Sequence, residues 1–170
     1  MNTRRGLERR LADLATFEDP RLDLEQYPTP ADLAAHLIHD ADLREDLEGT
    51  VVDLGTGTGI LALGAALRSP ERVIGVERDA VGLAVARENA EALDPPTPVA
   101  WLHGDATRAP VGTNGATVVM NPPFGAQHGN RNADRAFLQT AAEIGAVSYS
   151  IHNAGSESFV DAFATDAGGA

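Results

Sequence analysis

The 170-residue sequence predicts an α/β protein with a doubly wound, mainly parallel sheet. Three observations lead there. Short β-branched runs alternate with segments of helical periodicity through short loops. One such run, TVVDLG (50–55), passes straight into GTGTG and then into a helix-patterned stretch, ILALGAALRS. No internal repeat or low-complexity tract competes with this alternation.

Taken in order, Leu7 to Leu14 carries apolar residues at helical spacing among Arg4, Arg5, Arg9 and Arg10, as a solvated amphipathic helix does; an RNA contact is the less favoured reading. In LEQYPTPADLAAHL, Thr29 suits an N-cap, Pro30 the first helical position and Asp32 the third, so a helix is expected from about Pro30 to Leu47. Strands follow at 50–55 and 72–77, with the helix DAVGLAVARENAEAL after the second. DPPTP breaks the chain before a third strand, VAWLH (99–103), and a fourth, GATVVM (115–120). After the loop NPPFGAQHGNRN come the helix ADRAFLQTAAEI and a fifth strand, AVSYSIH (146–152). Right-handed crossovers restrict most of the remaining topology. The length suits one domain, with residues 1–29 as an N-terminal helix and covering segment and residues 30–170 as its body.

Composition excludes several classes of function. No run of 18 apolar residues exists to span a bilayer, and no apolar stretch follows the arginine-rich MNTRRGLERR, so neither a membrane protein nor a secretory signal is expected; the expected compartment is the cytoplasm. Absence of cysteine removes disulfides, thiolate nucleophiles and cysteine-based zinc sites. The five histidines (His36, His39, His103, His128, His152) fall on different predicted elements, so no metal site is expected. Acidic residues number 25 against 13 basic ones, a net charge of −12, and every basic residue is arginine. An acidic, lysine-free surface fits a halophile, because salt near 1 M screens charges over about 3 Å and makes self-repulsion cheap. At such salt, RNA binding leans on stacking and shape, so the acidity does not exclude it.

Chemistry concentrates at the strand ends. Gly55, Gly57 and Gly59 follow the first strand and open a helix, letting backbone approach a ligand at the carboxyl edge of the sheet. A dinucleotide fingerprint would need glycine where Ile60 stands. Glu77 ends the second strand about 20 residues on, where a carboxylate accepts both hydrogen bonds of a ribose diol. Asp105 ends the third strand in HGDA, placed to accept from an adenine amino group. The set D-L-G-T-G-T-G, Glu77 and Asp105 resembles the class I S-adenosylmethionine-dependent methyltransferases, which have a Rossmann-like fold. Asp53 agrees with that resemblance: a carboxylate ahead of the loop repels a pyrophosphate but suits a ligand bearing an ammonium and a sulfonium.

The apolar run TVVM stops at Asn-Pro-Pro-Phe (121–124), where two prolines forbid further strand pairing and a phenylalanine stands at a loop tip. This tetrapeptide resembles the motif of methyltransferases that act on adenine N6 or on an amide nitrogen. Such a nitrogen is a poor nucleophile, because its lone pair is delocalised into the ring or carbonyl. If Asn121 Oδ1 and the Pro122 carbonyl each accept one N–H, the nitrogen pyramidalises and the lone pair becomes available. Pro123 drives the residue before it towards an extended conformation, and neither proline has an N–H to compete. Phe124 would stack on the flat substrate, a contact worth about 1–3 kcal/mol.

EQYPTP, DLGTGTGIL, MNPPFG, ADRAFLQTA and YSIH together resemble the methyltransferase-like protein five family and its archaeal relatives, over about residues 7 to 160. Those are N6-adenine methyltransferases of small-subunit ribosomal RNA. The resemblance implies S-adenosylmethionine as cofactor, covered by Gln26, Tyr27 and Thr29. Gly55, Thr58 and Ile60 would stand on its methionine side, with Thr56, Gly57 and Gly59 completing the loop. It also implies Glu77 at the ribose, Asp105 and Ala106 at the adenine, and Asn121, Pro122, Pro123 and Phe124 at a flipped or unpaired target base. A small zinc-binding activator protein is the implied partner, forming a heterodimer by adding strands beside 99–103. Trp101 in that strand serves either core packing or the interface.

Two features depart from the family pattern. The family's final hairpin is not apparent before FATDAGGA, and the lysines of an RNA enzyme are missing. The alternative functions are a protein glutamine methyltransferase of the release-factor type, whose motif usually ends in tyrosine, and a non-catalytic module that binds S-adenosylmethionine or RNA. The polar, glycine-bearing loop 125–134 serves either as a substrate lid or as a plain connection, and Arg131 and Arg135 as phosphate contacts or as a solvated helix start.

Overall fold

The computed structural model describes residues 3–21, 26–123 and 133–152. Its elements alternate as the sequence predicts: α1 (Arg4–Ala12), α2 (Ala31–Leu43), β1 (Thr50–Leu54), α3 (Ile60–Ala66), β2 (Arg72–Glu77), α4 (Ala80–Leu93), β3 (Val99–His103), a 3-10 turn (Ala106–Arg108), β4 (Ala116–Met120), α5 (Ala133–Ile144) and β5 (Gly145–Ser150). The five strands lie in the order β3-β2-β1-β4-β5, and every neighbouring pair is parallel. The order reverses between β1 and β4. At such a switch point the connections leave β1 and β4 on opposite faces and open a crevice at the carboxyl ends of the strands.

The central strands are buried on both faces, as their unbroken apolar runs require. β4 is buried throughout, and β1 is buried from Val51 to Leu54. One side of the sheet packs Leu7 and Leu11 of α1, Ala34, Ala35 and Ile38 of α2, and Leu61, Ala62 and Ala65 of α3 over Val51, Val73 and Val119. The other side packs Phe137, Leu138, Ala141 and Ile144 of α5 over Val52, Leu54, Val118 and Met120. In β4 the alternation of side chains assigns Val119 to the first side and Val118 and Met120 to the second. Asn121, next in line, therefore continues towards the α2 side.

Trp101 performs the core-packing role of the two expected for it. Its indole lies where Gly59 and Gly75 have no side chain: a Cβ built on Gly75 would sit 2.7 Å from its Cζ3, and one on Gly59 2.9 Å from its Cη2. β3 is the outer strand on this side of the described sheet.

The boundary of α2 differs from the expectation at both ends. The helix begins after Thr29, with Pro30 at the N-cap position and no side-chain cap, and it stops at Leu43. Glu45 adopts a φ of 63°, which ends helical geometry well short of Leu47. β5 is also two residues shorter at its end than AVSYSIH suggests. Among the described residues, no helix is long and apolar enough to cross a membrane, and no group of histidines and carboxylates could hold a metal ion.

Candidate active site

A cavity of about 310 Å³ opens at the carboxyl ends of β1, β2 and β4, in the size range of small-molecule sites. The turn after β1 forms its floor. Gly55, Gly57 and Gly59 all have positive φ, so the chain curls tightly from strand to helix. At Gly55 a Cβ would lie 2.8 Å from Phe137 Cε1, so only glycine lets the loop pass beneath that ring. The Thr56 amide donates to the Val76 carbonyl at 2.9 Å and ties the loop to β2.

Asp53 is the buried carboxyl group of this site, 1% exposed at the end of β1. Its Oδ2 accepts from the Thr56 hydroxyl (2.6 Å) and from the Ala62 amide (3.0 Å). Oδ1 is buried and has no hydrogen-bond partner. Burial pushes the Asp53 pKa up to about 7; the two hydrogen bonds oppose that rise, and the nearby Glu77 charge adds to it. A buried carboxylate with one unsatisfied oxygen is the expected receptor for a cationic group.

Glu77 is held by two backbone amides. Its Oε1 accepts from the Gly57 amide at 2.8 Å and its Oε2 from the Asp79 amide at 3.0 Å, which fixes the carboxylate plane towards the cavity with lone pairs left to receive a diol. Asp105 is held in the same manner, its Oδ1 accepting from the Thr107 amide and hydroxyl. Partial burial disfavours its charge, but those bonds and the neighbouring Arg78 and Arg108 outweigh that, and its pKa lies below the usual value. It stays an acceptor at neutral pH.

The segment before α2 forms the roof. Gln26, Tyr27, Pro28 and Thr29 all line the cavity. Gln26 has both ends of its amide engaged: Oε1 accepts from the Arg21 amide at 2.9 Å, and Nε2 donates to Asp79 Oδ2 at 2.5 Å. It clasps the roof to the start of α4. Thr29 does not cap its helix; its Oγ1 accepts from Asn121 Nδ2 at 2.9 Å.

Most of the expected site residues therefore meet in one cavity: Gln26, Tyr27, Thr29, Asp53, Gly55, Thr56, Gly57, Thr58, Ile60, Glu77, Asp105, Ala106, Asn121 and Pro123. Gly59 and Pro122 stand behind that wall. Gly59 faces Trp101 and Ala86, where it lets the loop pack on the core, and Pro122 is buried. Phe124 and most of the expected lid loop lie outside the described residues. Sequence reasoning missed Phe17, Arg78, Phe137 and Thr107, which also line the cavity. Phe17 comes from the chain after α1 and lies 3.7 Å from a Cβ built on Gly57. Asn89 delivers it: the buried amide accepts from Ala15 N and donates to Ala15 O and Thr58 O, bonding the N-terminal segment to the glycine loop. No local pattern announces this clamp, because Asn89 lies 74 positions from Ala15.

A parallel sheet with this switch-point cavity, a glycine-rich floor, a buried carboxyl group at its foot and two carboxylates at successive strand ends defines a class I S-adenosylmethionine-dependent methyltransferase. Comparison with known proteins narrows the class. The model of the methyltransferase small domain matches residues 30–146. The rRNA N(6)-adenosine-methyltransferase Mettl5 of Drosophila melanogaster is 34% identical over 92% of this chain and 75% of its own. A protein of Methanocaldococcus jannaschii, described as uncharacterized, is 34% identical over 99% of this chain and 80% of its own. A crystal structure from Pyrococcus horikoshii, assigned as an RNA methyltransferase, superposes with a TM-score of 0.86 at 36% identity, covering 99% of this chain and 83% of that one. The chain belongs to the methyltransferase small domain family and, within it, to the Mettl5 family of methyltransferases.

Proposed function

We propose that this enzyme methylates N6 of an unpaired adenosine in ribosomal RNA, and specifically in the small-subunit RNA. The observation that carries the reading is Asn121: it lines the cofactor cavity, its Nδ2 is bound to Thr29, and it is followed by two prolines that offer no competing N–H. Relatives named as rRNA N6-adenosine methyltransferases support adenine over a glutamine amide as the accepting group.

The residues present fit S-adenosylmethionine. The unsatisfied Asp53 Oδ1 suits the ammonium of a methionine moiety, the pinned Glu77 carboxylate suits a ribose diol, and Asp105 Oδ2 suits an adenine amine. When bound, the cofactor would supply an electrophilic methyl group on a sulfonium, with a neutral thioether as the leaving group. The chain's own contribution is to orient and to desolvate. Asn121 Oδ1 accepts one N–H of the adenine amine and the Pro122 carbonyl accepts the other, which pulls the nitrogen out of conjugation and aims its lone pair into the cavity. The methylated nitrogen is acidic enough to release its extra proton to solvent, so no side chain needs to act as a tuned base. Phe124 supplies the stacking face for the base.

The zinc-binding activator belongs to the same proposal. Its place is beside β3, the outer strand of the described sheet, where a partner strand would continue the ladder. The test is methyl transfer from labelled S-adenosylmethionine at molar salt, with activator present, to small-subunit rRNA or to a release factor in separate reactions. Label in RNA adenine is the expected result, and label in the release factor would replace it with the glutamine reading. Asn121→Ala should lower kcat by about 100-fold or more while cofactor affinity changes less than about 3-fold.

A further inference from the structure

Thr29 is chemically an N-cap residue standing at the entrance of a helix, yet it leaves that helix uncapped. Its hydroxyl goes instead to a residue 92 positions away, accepting from Asn121 Nδ2 at 2.9 Å. That direction matters. A carboxamide has two faces, one accepting and one donating, and a half-turn about its last bond exchanges them. With the NH2 turned out, Asn121 would meet an amine N–H donor to donor and repel the substrate; with the oxygen out, it accepts. The prolines at 122 and 123 have no N–H to hold the oxygen inward, and no described residue donates to Oδ1.

We propose that Thr29 is a positioning residue that anchors the Asn121 carboxamide, engaging Nδ2 so that Oδ1 is left to the substrate amine. The inference rests on the methyl-transfer reading of Asn121 and adds the device that makes it work. The holder is itself stiff. Thr29 sits between Pro28 and Pro30, so its own backbone is driven to extended conformations, and Pro30 has φ −58° and ψ 138°. Both partners line the cavity, which places the hydrogen bond beside the reacting groups rather than deep in the core.

The test compares Thr29→Val, isosteric but without the hydroxyl, and Thr29→Ser, which keeps it. With rRNA as substrate, T29V should lower kcat by about 10-fold or more through misorientation, leave S-adenosylmethionine Kd within about 3-fold, and be rescued in T29S. A loss confined to cofactor Kd, with kcat intact, would make Thr29 a cofactor contact and overturn the proposal, as would wild-type kcat in T29V. A second readout needs no turnover. The side-chain amide signals of Asn121, identified by their loss in Asn121→Asp, should move towards the free-amide position in T29V and stay in place in T29S. Unmoved signals in T29V overturn the proposal. If wild-type enzyme labels a glutamine amide instead of RNA, the adenine reading fails while the same variants test Thr29 on that amide. If it labels neither, the amide signals decide.

Discussion

With Asp53 as the proposed receptor of its ammonium group, S-adenosylmethionine should bind with a pH-dependent affinity, and the dependence can be worked from the surroundings of Asp53. The folded pKa is about 7 against an ordinary 3.8, raised first by complete burial and further by Glu77, against the pull of Thr56 and Ala62. The other charged side chains lining the cavity are Arg78 and Asp105, and Asp105 ionises below its ordinary value and so does not titrate in this range. An ammonium group binds the carboxylate and not the acid. Affinity should therefore fall about tenfold per pH unit below 7 and level off above it, and at pH 7 binding should release about half a proton. Titration calorimetry at pH 6, 7 and 8, in buffers of different ionisation enthalpy, reads both quantities. Stability carries the opposite sign. The folded state holds the Asp53 proton more tightly than the unfolded chain, so this group costs nothing below about pH 4, costs progressively more as pH rises to 7, and levels off above, at a ceiling of about 4 kcal/mol for three pKa units. The difference in unfolding free energy between wild type and Asp53→Asn should change across that window and nowhere else. A cofactor Kd that is flat from pH 6 to 8 in the wild type, with no proton release, would refute the assignment of Asp53 as the receptor of a cation.

Two further predictions concern how the site is held. Gly75→Ala forces a methyl to within 2.7 Å of the Trp101 ring, so it should destabilise by about 1–3 kcal/mol in denaturant unfolding, and pairing it with a smaller residue at 101 should relieve that clash. Asn89→Ala removes three hydrogen bonds from a buried clamp and should cost about 2–3 kcal/mol. Its local signature is faster amide exchange at residues 14–17 and weaker cofactor binding as Phe17 leaves the wall; unchanged exchange at Ala15 would show that the clamp holds nothing.

Much of this molecule was legible in one dimension because the relevant forces act over a few residues. Buried strands demand unbroken β-branched runs, the turn after β1 demands glycines at positive φ, and a loop starting Asn-Pro-Pro cannot stay in a sheet; each leaves a local mark in the sequence. Strand alternation with helices then compels a parallel sheet, and a parallel sheet brings the ends of β1, β2 and β4 together, which is why Glu77, read from its spacing, shares one cavity with Asp53 and Asn121, which a family resemblance assigned. Other features depend on partners that no window contains. The Thr29 hydroxyl could satisfy its own helix or Asn121, and only the meeting of two distant segments decided for Asn121. Phe17 reaches the cavity wall because Asn89 binds the chain beside it, and burial raises the Asp53 pKa to about 7 because the finished core excludes water from it. Propensity and pattern are properties of short segments, whereas the choice between competing hydrogen bonds and the cost of a buried charge are set by whatever the folded chain puts next to them.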